Sequence, residues 1–463
     1  MNLTITDILG IDHVAAFNID TITYKNFKGI STDSRLVQPG EVFFAIRGEK
    51  LDGHSFVKNA FDSGAACSIV DQNFDRTTYL DQPIVVVKDT VVALGQLARI
   101  YRGKFDIPFI AIAGSNGKTT TKEIVSRVLK TQYKVLSTKY NYNNQIGVPL
   151  TLFRLRNSHE IAVIEIGTNH FGELKYLCDI LQPTHGLITN IGREHLEFFI
   201  NLDGVEQAEG ELFQWLNNTG FGFVNIDDAR IIKLAKKLKN KLTYGFSKPS
   251  ATVRGKFIEF DKKCCAKFLV KIKNKKEFKI QLSVPGKQAM MNSLAAVAVG
   301  VEFGINKTKI KKAIETFKSI DKRMEVINIG KITILNDTYN SNPDSMISAL
   351  DTLSEMKCSG NKIIIMADML ELGESAEKEH KNIGEEISKR GFEYLLTYGE
   401  LTKFTHDSAN IKVKIHYDQK NILAEYAAEL AAEGDIILVK GSRGMKMEDV
   451  VMFLIERLKA KLN

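Results

Sequence analysis

The sequence predicts an α/β protein of three consecutive units, and three observations carry that reading. Its 463 residues suit roughly three domains of ordinary size. Short apolar, β-branched runs alternate with stretches of helical periodicity through the middle and last third, as in doubly wound α/β domains. One of those runs feeds a glycine loop that opens a helix, the layout that holds nucleotide phosphates.

That loop is Gly114-Ser115-Asn116-Gly117-Lys118-Thr119-Thr120, after the apolar strand 109–113 and before a helix with Ile124, Val125, Val128 and Leu129 on one face. Glycines let backbone N–H groups close around phosphate oxygens, Lys118 can reach the terminal phosphates, and the Thr119 hydroxyl can reach Mg²⁺. Ile112 stands where the strict P-loop pattern has its first glycine. A glycine turn capping an ordinary helix is the alternative.

The first unit, 1–88, ends in the strand 84–87. Its polar turns, Ser31-Thr32-Asp33-Ser34-Arg35 and Arg47-Gly48 before Asp52-Gly53-His54, say little on their own. The second unit, 89–321, opens with a helical stretch, 91–101, that leads to the glycine loop. Strands are expected there at 109–113, 161–165, 186–190 and 221–225, with a helix over 292–301. The third unit, 322–463, alternates again, with strands at 332–335, 362–366, 394–397 and 435–440.

No apolar run of membrane-spanning length occurs, and the N-terminus lacks the basic start and apolar core of a signal peptide. Cys67, Cys178, Cys264, Cys265 and Cys358 have no C-x-x-C spacing, which points to reduced thiols in a cytoplasmic protein without a zinc site. The net charge of +8 is local, since eight lysines and one glutamate fall between Lys262 and Lys279. There Phe268, Val270 and Ile272 alternate with Lys267, Lys271 and Lys273, and Asn274 offers a turn. A solvated β-hairpin with lysine-guarded edges accounts for this pattern; a basic patch for nucleic acid or membrane is the lesser reading.

Glu165 ends a strand, where sheet ligands gather, and a carboxylate there can hold the Mg²⁺ that phosphates need. His195 follows the next strand. Mg²⁺ prefers oxygen, so a histidine ligand needs carboxylate company, for which Glu209 is a candidate. Two polar clusters follow strands in the last unit: Asn336-Asp337-Thr338-Tyr339-Asn340-Ser341-Asn342-Pro343 and Lys440-Gly441-Ser442-Arg443-Gly444. The glycines permit close approach and Arg443 suits a carboxylate or phosphate, though each cluster also reads as a polar turn.

From Ser31 to Arg443 these motifs resemble the Mur ligases of peptidoglycan synthesis. The Gly-Ser-Asn-Gly-Lys-Thr-Thr loop is shared with the related folylpolyglutamate synthetases. Thr121-Lys122-Glu123, the run Asn141 to Pro149, and Asp337 to Pro343 look like the member that adds D-alanyl-D-alanine to a UDP-N-acetylmuramoyl-tripeptide. The member that adds the third amino acid shares Asp33-Ser34-Arg35, but its Asp-Asn-Pro-Arg motif is missing; Asn342-Pro343-Asp344 is the nearest match.

The resemblance implies an N-terminal UDP-sugar-binding α/β unit, a central P-loop ATPase-like doubly wound unit and a C-terminal Rossmann-like unit. The cofactors it implies are ATP and Mg²⁺, and the protein it implies is a cytoplasmic monomer with no nucleic-acid or membrane partner. Gly114 to Thr120 would hold ATP, with Lys118 on the phosphates, Thr119 and Glu165 on one Mg²⁺, and His195 on a second. Asn292 would contact adenine and Asp337 the ribose, with Arg323 and Tyr339 beside the nucleotide. Ser31, Ser34 and Arg47 would lie along the UDP-sugar, and Asn143, Asn340, Asn342 and Arg443 near the peptide substrates.

Two departures stand out. Gln288-Ala289 replaces the family's His-Asn at the adenine contact. Glu209 aligns with a lysine that many members carbamoylate, so it would supply a carboxylate directly. Rival readings are another Mur-type or folylpolyglutamate-type ligase, against which Thr32-Asp33-Ser34-Arg35 counts, and a nucleotide-dependent switch without ligase activity.

Overall fold

The structure, a computed structural model, describes residues 1–273 and 275–462. Among these residues the strands form three sheets that succeed one another along the chain. In the first, Ile30–Ser31, Val42–Phe44, Cys67–Asp71 and Ile84–Val87 lie parallel in that order, and Ala15–Phe17 pairs antiparallel with Ile84–Val87.

The helix Thr90–Arg102 ties this sheet to the next. Asp89 caps it by accepting from the N–H groups of Val91 and Val92. Its Leu94, Leu97 and Tyr101 share one core with Val42, Phe44 and Val85 of the first sheet and Leu174 and Leu177 of the central unit.

The central sheet has nine strands. Phe109–Ala113 lies between Ile161–Glu165 and His185–Ile188, all parallel. Its run Phe-Ile-Ala-Ile-Ala is apolar throughout because both faces are covered. Ile110 and Ile112 pack with Ile124, Val125 and Val128 of the helix Lys118–Leu129, while Phe109, Ala111 and Ala113 point to the opposite core. The strands expected at 109–113, 161–165 and 221–225 occupy those residues.

Elsewhere the boundaries move. The strand expected over 186–190 is His185–Ile188: Thr189 N–H still donates to Ala113 O (3.0 Å), and Asn190 then leaves the sheet for the glycine loop. The helix expected over 292–301 begins earlier, at Lys287, directly after Gly286. The lysine-rich segment forms the expected hairpin, Cys265–Ile272 against Phe278–Pro285, but as the edge of the central sheet. Val253–Phe260, Cys265–Ile272 and Phe278–Pro285 extend the central sheet as an antiparallel meander, and Phe268, Val270 and Ile280 pack in the core with Ala295 and Val299. The turn residue Asn274 lies outside the described residues.

The third sheet runs Glu325–Ile329, Ile332–Asp337, Ile436–Lys440, Lys362–Ala367, Tyr394–Tyr398, Val413–Tyr417, parallel but for the first. Alternate residues again feed two cores: Ile363 and Ile365 pack with Leu423 and Val450, Ile364 and Met366 with Leu350 and Ile383. This second core also takes in Leu196, Phe199, Val205 and Ala208 of the central unit, so the two units meet across an apolar seam. Among the described residues no helix is long and apolar enough to cross a membrane.

Candidate active site

The carboxyl ends of the central parallel strands open onto a cavity of about 850 Å³. The glycine loop forms its floor. Gly117 has φ +83°, and a Cβ there would stand 2.8 Å from Asn292 Oδ1, so the close packing of loop on helix requires glycine. The loop is fastened from the neighbouring strand end: Asn116 N–H donates to Asn190 Oδ1 (3.1 Å), Asn190 Nδ2 donates to Asn116 O (2.7 Å), and Ser115 N–H donates to Asn190 O (2.9 Å).

Lys118 opens the helix and is largely buried. Its Nζ lies 3.3 Å from Glu194 Oε2. Burial pulls the ammonium's pKa down, but the charges of Glu194, Glu209 and Glu165 outweigh it and the net shift is upward. Glu165, buried at its strand end, accepts at Oε1 from Thr119 Oγ1 (3.1 Å) and Asn143 Nδ2 (3.0 Å), while its Oε2 is buried without a partner. Glu194 Oε1 and Glu209 Oε1 are also buried and unpartnered.

A bare carboxylate oxygen buried in this way is costly, and a hard divalent cation takes oxygen ligands. The Thr119–Glu165 pair with its free oxygen therefore fits Mg²⁺. Among the described residues no three His, Cys, Asp or Glu side chains converge on one metal position. Mg²⁺ usually relies on one or two carboxylates plus substrate phosphates, which this donor set matches.

His195 and Glu209 stand apart from that pair. His195, at φ +47°, brings Nδ1 to 2.6 Å from Glu371 Oε2, out of line for a hydrogen bond. The contact holds the Glu371 carboxyl below the usual carboxylate range. Glu209 is wholly buried behind the loop, where Oε2 accepts from Gly114 N–H (2.6 Å), and it does not line the cavity. Burial pushes its carboxyl well above the usual range, against the pull of Lys118.

The C-terminal unit roofs the site. Arg323 Nη2 donates to Thr119 Oγ1 (3.0 Å), and its guanidinium lies 3.8 Å from the Tyr339 ring centroid. Asp337 has both oxygens engaged, by Lys440 Nζ (2.6 Å) and Met324 N–H (3.0 Å). Asn342 caps the helix Pro343–Glu355 and donates from Nδ2 to Asn116 Oδ1 (2.9 Å). Asn292 and Asn340 line the cavity, as does Gln288.

Arg443 does not line it. Its Nη1 donates to Glu448 Oε1 (2.9 Å), and its guanidinium is 5.8 Å from the Tyr339 ring. Ser31, Ser34 and Arg47 stay on the first unit, away from the cavity lining; Arg47 pairs with Asp52 (3.2 Å) and Asp71 (3.1 Å). Glu49 is the first unit's contribution to the lining. Two participants were not singled out from sequence: Glu194 and Glu371. Glu194 had one usable signal, an acidic residue beside His195 just past a strand end.

Three family descriptions match successive stretches of the chain: "Mur ligase family, catalytic domain" over residues 26–102, "Mur ligase middle domain" over 112–300, and "Mur ligase, glutamate ligase domain" over 322–443. This chain belongs to the Mur ligase family. This Mur ligase is 34% identical over 433 residues to the UDP-N-acetylmuramoyl-tripeptide–D-alanyl-D-alanine ligase of Bacillus subtilis (strain 168), covering 92% of this chain and 93% of the relative. The enzyme of the same name from Escherichia coli (strain K12) is 32% identical over 439 residues, covering 92% and 93%. The crystal structure of MurF from Acinetobacter baumannii superposes with a TM-score of 0.89 at 29% identity, covering 98% of this Mur ligase and 99% of that chain.

Proposed function

We propose that this Mur ligase uses ATP to join D-alanyl-D-alanine to UDP-N-acetylmuramoyl-tripeptide, as its relatives of that name do, in peptidoglycan precursor synthesis. The observation that carries the reading is the convergence of the glycine loop, Lys118, Thr119 and Glu165 with Arg323 and Asn342 of the C-terminal unit on one cavity. The units are taken to meet near residues 88 and 321, with the first holding the UDP-sugar through Ser31, Ser34 and Arg47. The protein is taken to act as a monomer in the cytoplasm.

A carboxylate is a poor electrophile towards an amine, so the tripeptide's terminal carboxylate needs activation. Transfer of the γ-phosphoryl group from ATP makes an acyl phosphate, with ADP leaving. The dipeptide's amine attacks the acyl carbon, and the tetrahedral intermediate expels phosphate as the amide forms. Lys118 offsets charge on the migrating group, and the loop N–H groups orient the ATP phosphates. Arg323, stacked on Tyr339 and touching Thr119, is placed to add a second positive charge beside the nucleotide. Asn292 and Asp337 would flank adenine and ribose, and Asn143, Asn340, Asn342 and Arg443 the peptide substrates.

His195 and Glu209, which the resemblance assigns to a second ion, meet Glu371 and Gly114 instead; Thr119 and Glu165 would hold Mg²⁺. Bound there, the ion would neutralise phosphate charge. Closure of the C-terminal unit excludes water from the acyl phosphate.

The test is a phosphate-release assay with each substrate omitted in turn. Release that needs ATP, the UDP-sugar tripeptide and the dipeptide together is expected. Release without either peptide substrate would instead indicate a nucleotide switch.

A further inference from the structure

Residues 192–195 leave the central sheet towards the C-terminal unit, and three consecutive side chains there meet four partners. Arg193 spends its whole fork across the cleft. Its Nε and Nη2 donate to Asp344 Oδ1 (3.1 and 2.5 Å), its Nη1 donates to Glu379 Oε2 (2.8 Å), and its backbone N–H donates to Asp344 Oδ2 (2.6 Å). Asp344 sits on the helix Pro343–Glu355 and Glu379 on the helix Ala376–Ser388, so one side chain fixes two elements of the C-terminal unit.

Gly192 leaves the room: a Cβ there would stand 2.8 Å from Asp344 Oδ2. The next residue, Glu194, holds Lys118, and the one after, His195, meets Glu371 of the C-terminal unit. Asp344 in turn lies two residues beyond Asn342, which touches Asn116 of the glycine loop. The same short segment therefore reads the position of the C-terminal unit and the position of the phosphate-site lysine.

We propose that Arg193 is a positioning residue for the ligation: its grip on Asp344 and Glu379 sets where the C-terminal unit seats, and Glu194 carries that seating to Lys118. This rests on the reading that Lys118 serves the ATP phosphates and that the C-terminal unit closes over the second substrate. Arginine suits the task, since its planar fork holds two carboxylates at fixed angles and an ammonium would not.

The test uses the full-length protein with Arg193→Ala, Asp344→Ala and the double variant. Loss of charged hydrogen bonds across the cleft is expected to lower kcat by about tenfold to a hundredfold in Arg193→Ala. The dissociation constant for ADP alone should stay within about threefold of wild type, because the loop itself is untouched. Small-angle scattering with ADP and the UDP-sugar tripeptide should give a larger radius of gyration for the variant. A single device predicts that the double variant is no slower than the slower single one.

Near-native kcat with an unchanged scattering profile overturns the proposal, and so do losses that multiply in the double variant. Should Arg193→Ala not fold, Glu379→Gln keeps the shape and an acceptor oxygen but takes the charge from the Arg193 Nη1 contact. A fall in kcat of about a few-fold, the difference between a charged and a neutral acceptor, supports the proposal there, and an unchanged kcat overturns it. Failure of the wild-type protein to join the two peptides would instead sink the ligase reading itself, which separates the two outcomes.

Discussion

Lys118 carries a lasting positive charge into the cavity because three carboxylates, Glu194, Glu209 and Glu165, outweigh the effect of its burial. The shift is upward from an already high value, so the ammonium stays charged across the neutral range. Replacing it with a neutral chain of similar length removes the charge with little change in packing. Lys118→Met is therefore expected to lower phosphate release by about a hundredfold or more, the cost of losing one preorganised donor to a transition-state charge. Thermal unfolding of the variant should show a protein still folded, which assigns the loss to chemistry. The loop residues and Glu165 were legible in the sequence because the loop follows a strand and Glu165 ends one, and strand ends are where ligands gather. Arg323, Arg193 and Glu371 depend on partners across the cleft: Thr119 for Arg323, Asp344 and Glu379 for Arg193, and His195 for Glu371. No local pattern marks such pairs. Arg323 entered the reading through family resemblance; the other two became visible only in the fold.

At the scale of elements, hydrophobic pattern fixed the buried parallel strands well and the exposed ends poorly. Phe109–Ala113 was legible as a solid apolar run because both faces are covered, whereas the next strand ends at Ile188 because Asn190 is drawn off to the loop. The lysine-rich hairpin was legible in the sequence, but its place at the edge of the central sheet was not. Its outward lysines resemble a free hairpin, while its inward Phe268 and Val270 belong to the sheet core. The strand His185–Ile188 also carries a pH-dependent element. His185 lies among Phe221, Phe223 and Phe303, with ring centroids 5.6, 6.2 and 5.0 Å away, and burial lowers its pKa to about 4. The folded form thus binds fewer protons than the unfolded chain below the ordinary histidine value. Its stability contribution is present above pH 6.5 and lost as pH falls towards 4. Urea unfolding of wild type should show that decline, and His185→Leu should remove this residue's share, at most about 3 kcal/mol.

At the scale of the whole molecule, the site exists only because the central and C-terminal units share two kinds of contact. The polar kind, including Arg323–Thr119 and Asn342–Asn116, touches the phosphate loop directly. The apolar kind is the seam in which Leu196 and Phe199 pack with Met369 and Leu372. Sequence periodicity gave the central and C-terminal units their sheets but could not place this seam, since Leu196 and Phe199 lie in a four-residue helix and Met369 and Leu372 in a loop, with no extended pattern. Phe199 is its lever. The ring is 2% exposed, and it lies 6.4 Å edge-on from the ring of His195, four residues earlier in the chain. Phe199→Ala should cost about 3 kcal/mol of stability through the void it leaves, and Phe199→Leu about 1 kcal/mol. Because the void opens beneath His195 and beside the C-terminal unit, kcat should fall more than nucleotide affinity does. A stability loss with kcat and ADP affinity reduced equally would show that the seam only holds the fold together and does not set the geometry of the cleft.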